Sequence, residues 1–88
     1  MPQSNNLSVT IVVSGQSVTL RVNTHQKVDH LISEALKESG NKGQPPADWE
    51  LRTSDGALIE QSLTIEKAGI VDGVTLFLSP RAGAGGVN

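Results

Sequence analysis

The sequence contains no cysteine, which excludes disulfide bonds, zinc–thiolate sites and thiol catalysis by this chain. Aromatic residues are scarce: only Trp49 and Phe77 are present, too few to predict a stacking platform for nucleic acid. No apolar run approaches the length that spans a bilayer, and the polar residues 1–6 lack the pattern of a signal peptide. The formal net charge is −2, and the lysines and arginines are scattered. We therefore expect a soluble, cytoplasmic, monomeric protein with no nucleic-acid or membrane partner.

The residue types of enzyme chemistry are present, but not in the spacing that such chemistry needs. His25 and His30 lie five positions apart, and no cluster of carboxylates completes a metal site around them. Serine, histidine and aspartate occur, yet no nucleophile motif brings them together. The glycine-rich residues 83–86 do not lie between a strand and a helix, where a phosphate-binding loop belongs. The sequence therefore predicts a protein that is not an enzyme and holds no metal or cofactor.

The first half of the chain changes its hydrophobic period once. Residues 7–13 and 18–22 alternate apolar and polar side chains around a short turn that contains glycine, which predicts a β-hairpin. Over about residues 26–39 the period becomes that of an α-helix, with Thr24 as an early capping candidate and Gly40 as the expected stop. Five apolar residues share one face of this helix: Val28, Leu31, Ile32, Ala35 and Leu36.

Shorter elements follow a loop that is rich in glycine and proline. Alternation predicts a third strand at residues 49–53, a short fourth strand at 58–59 and a last strand at 74–79. Pro80 ends that strand because it has no N–H to donate to a ladder. Residues 63–70 predict a compact segment with helical character.

This order of elements predicts an α+β domain in two layers, with a mixed sheet of four to five strands packed on one main helix. The first and last strands can then pair in parallel at the centre of the sheet. We divide the chain into a disordered leader at residues 1–6, a folded domain at 7–79 and a flexible C-terminal tail at 80–88.

The same elements resemble ubiquitin and its relatives, which share the β-grasp fold. Residues 7–20 resemble the ubiquitin hairpin, residues 28–36 its long helix, and Pro45-Pro46 the paired prolines that follow it. The most specific passage is residues 63–78, LTIEKAGIVDGVTLFL, which resembles the segment before the last strand in many ubiquitin-like domains. Gly85-Gly86 falls near the position of the terminal diglycine of ubiquitin.

The resemblance implies a chemistry that uses the C-terminus. Gly85 and Gly86 would be the processing and conjugation site, and removal of Val87-Asn88 would expose the carboxylate of Gly86. The implied partners are an ATP-dependent activating enzyme, a conjugating enzyme, a JAB-type deubiquitinase-like peptidase and a lysine of a target protein, as for bacterial ubiquitin-like modifiers. Two alternatives stay open: a sulfur carrier, which also begins with adenylation, and an interaction domain that binds partners without covalent chemistry.

A candidate partner surface comprises Trp49, Arg52, Phe77 and Arg81. Aligned with ubiquitin, Arg52, Phe77 and Ser79 occupy the positions of its apolar receptor-binding patch. Arg52 replaces a central aliphatic residue there, so we expect poor binding to ordinary ubiquitin receptors. Phe77 alternates out of phase with Leu76 and Leu78, which predicts that it lies on the exposed face of the sheet.

Overall fold

A computed structural model of the protein describes residues 6–81. Its elements are β1 (Asn6–Val13), β2 (Gln16–Asn23), α1 (Val28–Glu38), a short 3-10 helix (Pro46–Asp48), β3 (Trp49–Arg52) and β4 (Thr75–Pro80). No helix within residues 6–81 has the length and apolar character needed to cross a membrane. Most of the predicted leader and tail lies outside the described residues.

The β1–β2 hairpin forms as predicted, around a two-residue turn. Val13 pairs with Gln16, so Ser14 and Gly15 form the whole loop. Both have positive φ, 51° at Ser14 and 83° at Gly15. Positive φ at both positions is typical of a type I′ turn, whose twist matches that of the flanking strands.

Among residues 6–81, four strands form one mixed sheet in the order β2-β1-β4-β3. The two central strands, β1 and β4, are parallel, with Ile11 opposite Leu76 and Val13 opposite Leu78. The outer pairs, β1–β2 and β3–β4, are antiparallel. The predicted α+β fold is therefore confirmed, and β4 leads the chain from the centre of the sheet toward its C-terminal segment.

Helix α1 buries the five apolar residues predicted from its sequence, which are Val28, Leu31, Ile32, Ala35 and Leu36. The helix begins at Val28, later than predicted, and no side chain among residues 6–81 caps it. Instead, the N–H of Val28 donates to the carbonyl of Leu63 at 2.9 Å, and that of Asp29 donates to the carbonyl of Gln61 at 3.2 Å. A distant segment thus satisfies the first free N–H groups of the helix.

Two predicted elements in the second half differ from the structure. Within the described chain, residues 58–59 make a single isolated bridge, Arg52 with Leu58, rather than a strand. Ile59 belongs to the core and is 7% exposed. Residues 63–70 form turns and not a helix. Only Ala68 there donates to the carbonyl four residues earlier, at 2.9 Å, and one such bond does not offset the cost of helix nucleation.

The core lies between α1 and the inner face of the sheet. Among residues 6–81 every buried residue is hydrophobic, so no buried charge has to be compensated. Leu31 and Ile32 of α1 are 0% exposed, and Ile11 and Leu76 of the central strands are 1% exposed. Burial of such side chains is the main stabilising contribution in a domain of this size.

Candidate functional site

The C-terminal end of β4 is held against the start of β3. Pro80 pairs with Trp49 in the antiparallel ladder, so the strand continues one residue beyond its predicted end. The main-chain N–H of Arg81 then donates to the carbonyl of Asp48 at 2.8 Å. Its side-chain Nε–H donates to the carbonyl of Ala47 at 2.9 Å. The chain therefore leaves the described domain from a fixed point at Arg81.

A groove of about 390 Å³ adjoins this point. It lies between the start of α1, the 3-10 helix and the segment that follows Leu58. Three acidic residues, Asp29, Glu50 and Glu60, line the groove together with Arg81. The surface beside the departing chain is therefore mainly acidic.

Gln61 joins the walls of this groove, and sequence analysis missed it. Its side-chain Nε2 donates to the carbonyl of Pro46 at 3.0 Å and to that of Trp49 at 2.7 Å. Both acceptors are main-chain groups, so no pattern of residue types could have indicated them. Through these bonds, Gln61 fixes the 3-10 helix that in turn receives Arg81.

The predicted processing residues, Gly85 and Gly86, lie outside the described residues. Five residues, 82–86, separate Arg81 from the bond after Gly86. Since an extended chain spans at most about 3.5 Å per residue, Gly86 can reach no farther than about 18 Å beyond Arg81.

The outer face of the sheet carries a row of paired residues, which we call the outer row: Val12, Phe77, Arg52 and Leu58. Val12 is opposite Phe77, Phe77 is opposite Arg52, and Arg52 bridges Leu58. Residues directly opposite each other point to the same face of a sheet. Phe77 is 42% exposed and Leu58 is 58% exposed, so the row presents apolar surface to solvent. The structure thus brings the predicted residues Arg52 and Phe77 side by side.

Arg52 does not present an isolated charge in this row. Its guanidinium donates to a carboxylate oxygen of Glu50 at 2.9 Å and to the carbonyl of Gly56 at 3.0 Å. An ion pair with this much solvent contact contributes little to stability. It does hold the guanidinium against β3, which leaves Phe77 and Leu58 accessible on either side.

The prediction that Trp49 belongs to the partner surface is wrong. Its side chain is only 7% exposed, and it alternates in phase with the fully buried Leu51. Glu50 and Arg52 occupy the outward positions of β3, so Trp49 faces the core. Arg81 is exposed but lies at the exit of the chain, apart from the outer row in the sheet register.

Within residues 6–81, no three histidine, aspartate or glutamate side chains gather in a way that could hold a metal ion. His25 and His30 are both exposed. In the turn after β3, the Thr53 hydroxyl donates to Asp55, and together with main-chain hydrogen bonds it holds the pKa of that carboxyl below its usual value.

A family model described as "Protein of Unknown function (DUF2604)" matches residues 2–86. The chain belongs to the DUF2604 family. A similar protein is uncharacterized protein y4jI of Sinorhizobium fredii, 31% identical over 80 residues that cover 91% of this chain. The match covers 62% of that protein, so this DUF2604 chain spans less than two thirds of its relative.

Solved structures similar to the DUF2604 chain have ubiquitin-like folds. One is a de novo design based on ubiquitin, with a TM-score of 0.77 and 25% identity over 94% of this chain and 98% of the design. Another is the ubiquitin of Caldiarchaeum subterraneum, with a TM-score of 0.70 and 22% identity over 86% of this chain and 94% of that one. These likenesses show a ubiquitin-like β-grasp fold.

Proposed function

We propose that this DUF2604 protein is a ubiquitin-like protein modifier that is processed after Gly86 and conjugated through the carboxylate of that residue. The observation that carries the proposal is the place of the diglycine on this fold. The central strand β4 leads to an anchored Arg81, and Gly85-Gly86 follows four residues later. Glycine suits this position because it has no Cβ and can pass through a narrow enzyme channel.

The chemistry requires partner enzymes and no catalytic side chain of this protein. A JAB-type peptidase would hydrolyse the peptide bond between Gly86 and Val87 with a metal-activated water. The freed carboxylate would attack the α-phosphate of ATP, forming an acyl-adenylate and releasing pyrophosphate. A cysteine thiolate of the activating enzyme would displace AMP to form a thioester, which is passed to the conjugating enzyme. A lysine amine of the target would then displace the thiol and form an amide.

In this proposal the protein acts as a monomeric, cytoplasmic substrate of those enzymes.

The test incubates four forms with a lysate of the native host, with and without ATP: wild type, Gly86→Ala, a form lacking Val87-Asn88, and Gly83→Ala. Gly83→Ala is the matched control, because it adds the same methyl group to the same segment away from the cleaved bond.

Wild type, the truncated form and Gly83→Ala should give ATP-dependent adducts of higher mass, and Gly86→Ala should give few or none. Equal behaviour of Gly86→Ala and Gly83→Ala would refute the proposal. If the carboxylate oxygen is replaced by sulfur and no protein adduct appears, the protein is a sulfur carrier.

A second candidate function, non-covalent binding of a partner protein, is favoured by the outer row. Phe77 and Leu58 are exposed on one face on either side of a paired Arg52. In this alternative, Phe77→Ala should abolish capture of the partner, whereas Thr75→Ala, at an exposed position of the same strand, should leave it unchanged. Retention of the partner by the Phe77→Ala variant would exclude the outer row as its binding surface.

A further inference from the structure

Arg81 is attached to the domain by two separate groups. Its main-chain N–H bonds to the carbonyl of Asp48, and its side-chain Nε–H bonds to the carbonyl of Ala47. The two acceptors are consecutive carbonyls of the short 3-10 helix. A residue held by both its backbone and its side chain cannot swing away unless both bonds break.

The segment that receives Arg81 is itself fixed. Gln61 donates to the carbonyl of Pro46 at the start of the 3-10 helix and to that of Trp49 just after it. The side chain of Trp49 is 7% exposed and belongs to the core. Arg81 is therefore attached to a part of the surface that is braced on both sides.

Arg81 directly follows β4, and its N–H donates the last backbone hydrogen bond toward this edge among the described residues 6–81. The preceding residue, Pro80, has no N–H and cannot hold the chain by donation. If Arg81 is released, the nearest residue whose N–H can donate is Ser79, which is opposite Glu50 in β3. The span that ends at Gly86 then begins two residues earlier, and its maximum length grows by about 7 Å.

We propose that Arg81 is a positioning residue that sets how far Gly86 can extend from the domain. This inference rests on the function proposed above. The peptidase and the activating enzyme would then have to present their reacting atoms within about 18 Å of Arg81 while accommodating the acidic groove beside it. An enzyme whose reacting atoms lie deeper than this would fail to reach Gly86. Arg81 would therefore select partner enzymes by the depth of their active sites.

The first test measures the anchor without any enzyme. Amide hydrogen exchange at position 81 is compared in wild type, Arg81→Ala and Arg21→Ala. Arg21 is the matched control, since it is an exposed arginine on β2, at the opposite edge of the sheet. Loss of the side-chain bond in Arg81→Ala should speed exchange at position 81 about two- to fivefold, and Arg21→Ala should leave it unchanged.

The second test measures reach. The kcat/KM for cleavage after Gly86 is measured with host peptidase on four forms: wild type, a form lacking Ala82, Arg81→Pro and the combination of the two changes. Deleting Ala82 shortens the span by about 3.5 Å and should lower kcat/KM by roughly 100-fold. Arg81→Pro removes both bonds of the anchor and releases two further residues. In the combined variant, most of the lost kcat/KM should therefore be recovered.

The two tests separate the possible failures. If Arg81 only stabilises the end of β4, the factors by which the deletion and Arg81→Pro each lower kcat/KM should multiply in the combined variant. That result overturns the positioning role. Unchanged exchange at position 81 in Arg81→Ala overturns the side-chain anchor. If exchange rises as expected but no form is cleaved or conjugated, the proposed function is refuted while the anchor itself is confirmed.

Discussion

Leu31 lies in the middle of the buried face of α1, and none of its surface is exposed. Val28, Ile32 and Ala35 on the same face are also 0% exposed, so the walls around Leu31 have little freedom to collapse. We expect Leu31→Ala to lower the free energy of unfolding by about 3 kcal/mol, from lost burial and from the cavity that remains. In a domain of this size, that loss lowers Tm by about 12–24 °C.

Urea unfolding can be followed by the fluorescence of Trp49, because it is the only tryptophan and moves from a buried site to solvent. Leu58→Ala is the matched control: Leu58 is 58% exposed, and its loss should change stability by less than about 0.5 kcal/mol. If Leu31→Ala does not fold, Ile32→Val should still show a loss of about 1 kcal/mol. Equal effects of Leu31→Ala and Leu58→Ala at an unchanged m-value would refute the assigned face of α1.

Three further predictions concern the surface. Gln61→Ala should cost about 1–2 kcal/mol in urea unfolding, because two main-chain carbonyls lose their donor, whereas Gln44→Ala at an exposed loop position should cost little. Gly15→Ala should cost about 1 kcal/mol from its positive φ alone, since nothing lies within 4 Å of the added Cβ; an unchanged midpoint would contradict the I′ turn. Thr53→Val should raise the pKa of Asp55 in an NMR titration. Because the pKa of Asp55 is lowered, its carboxylate stabilises the folded turn at pH values above the ordinary pKa of aspartate. This contribution is lost as the pH falls through the pKa of the folded state.

The sequence predicts those parts of the fold in which one face of an element is buried. Buried and more exposed side chains alternate at residues 9–13 of β1 and 75–79 of β4, and in α1 the five apolar residues recur at helical spacing, so the core face follows largely from the period. The same reasoning places Phe77 opposite in phase to Leu76, on the outer face. It also places Trp49 in phase with Leu51, which is why its assignment to a binding surface conflicts with the structure.

Other features depend on main-chain groups that are distant in sequence, and these could not be predicted. The start of α1 is determined by the carbonyls of Gln61 and Leu63, not by a capping side chain such as that of Thr24. The bond to Leu63, together with those that Ile65 and Glu66 donate to the carbonyls of Gln26 and Thr24, holds residues 63–66 in turns although their composition is compatible with a helix. The value of residue patterns therefore falls wherever tertiary hydrogen bonds determine the backbone.

The same distinction determines where mutagenesis can reveal the anchor at Arg81. Its acceptors are the carbonyls of Ala47 and Asp48, which every residue type retains, so substitutions at those two positions should leave the anchor intact. A scan of side chains would therefore find the anchor at only two places: at Arg81, which carries a donor, and at Gln61, which braces the acceptors. If the anchor positions Gly86, variants at these two residues should change in the same way how kcat/KM for cleavage after Gly86 depends on tail length, although the two residues lie on separate segments. A shared loss of stability without that change would instead mean that both residues act on the fold alone.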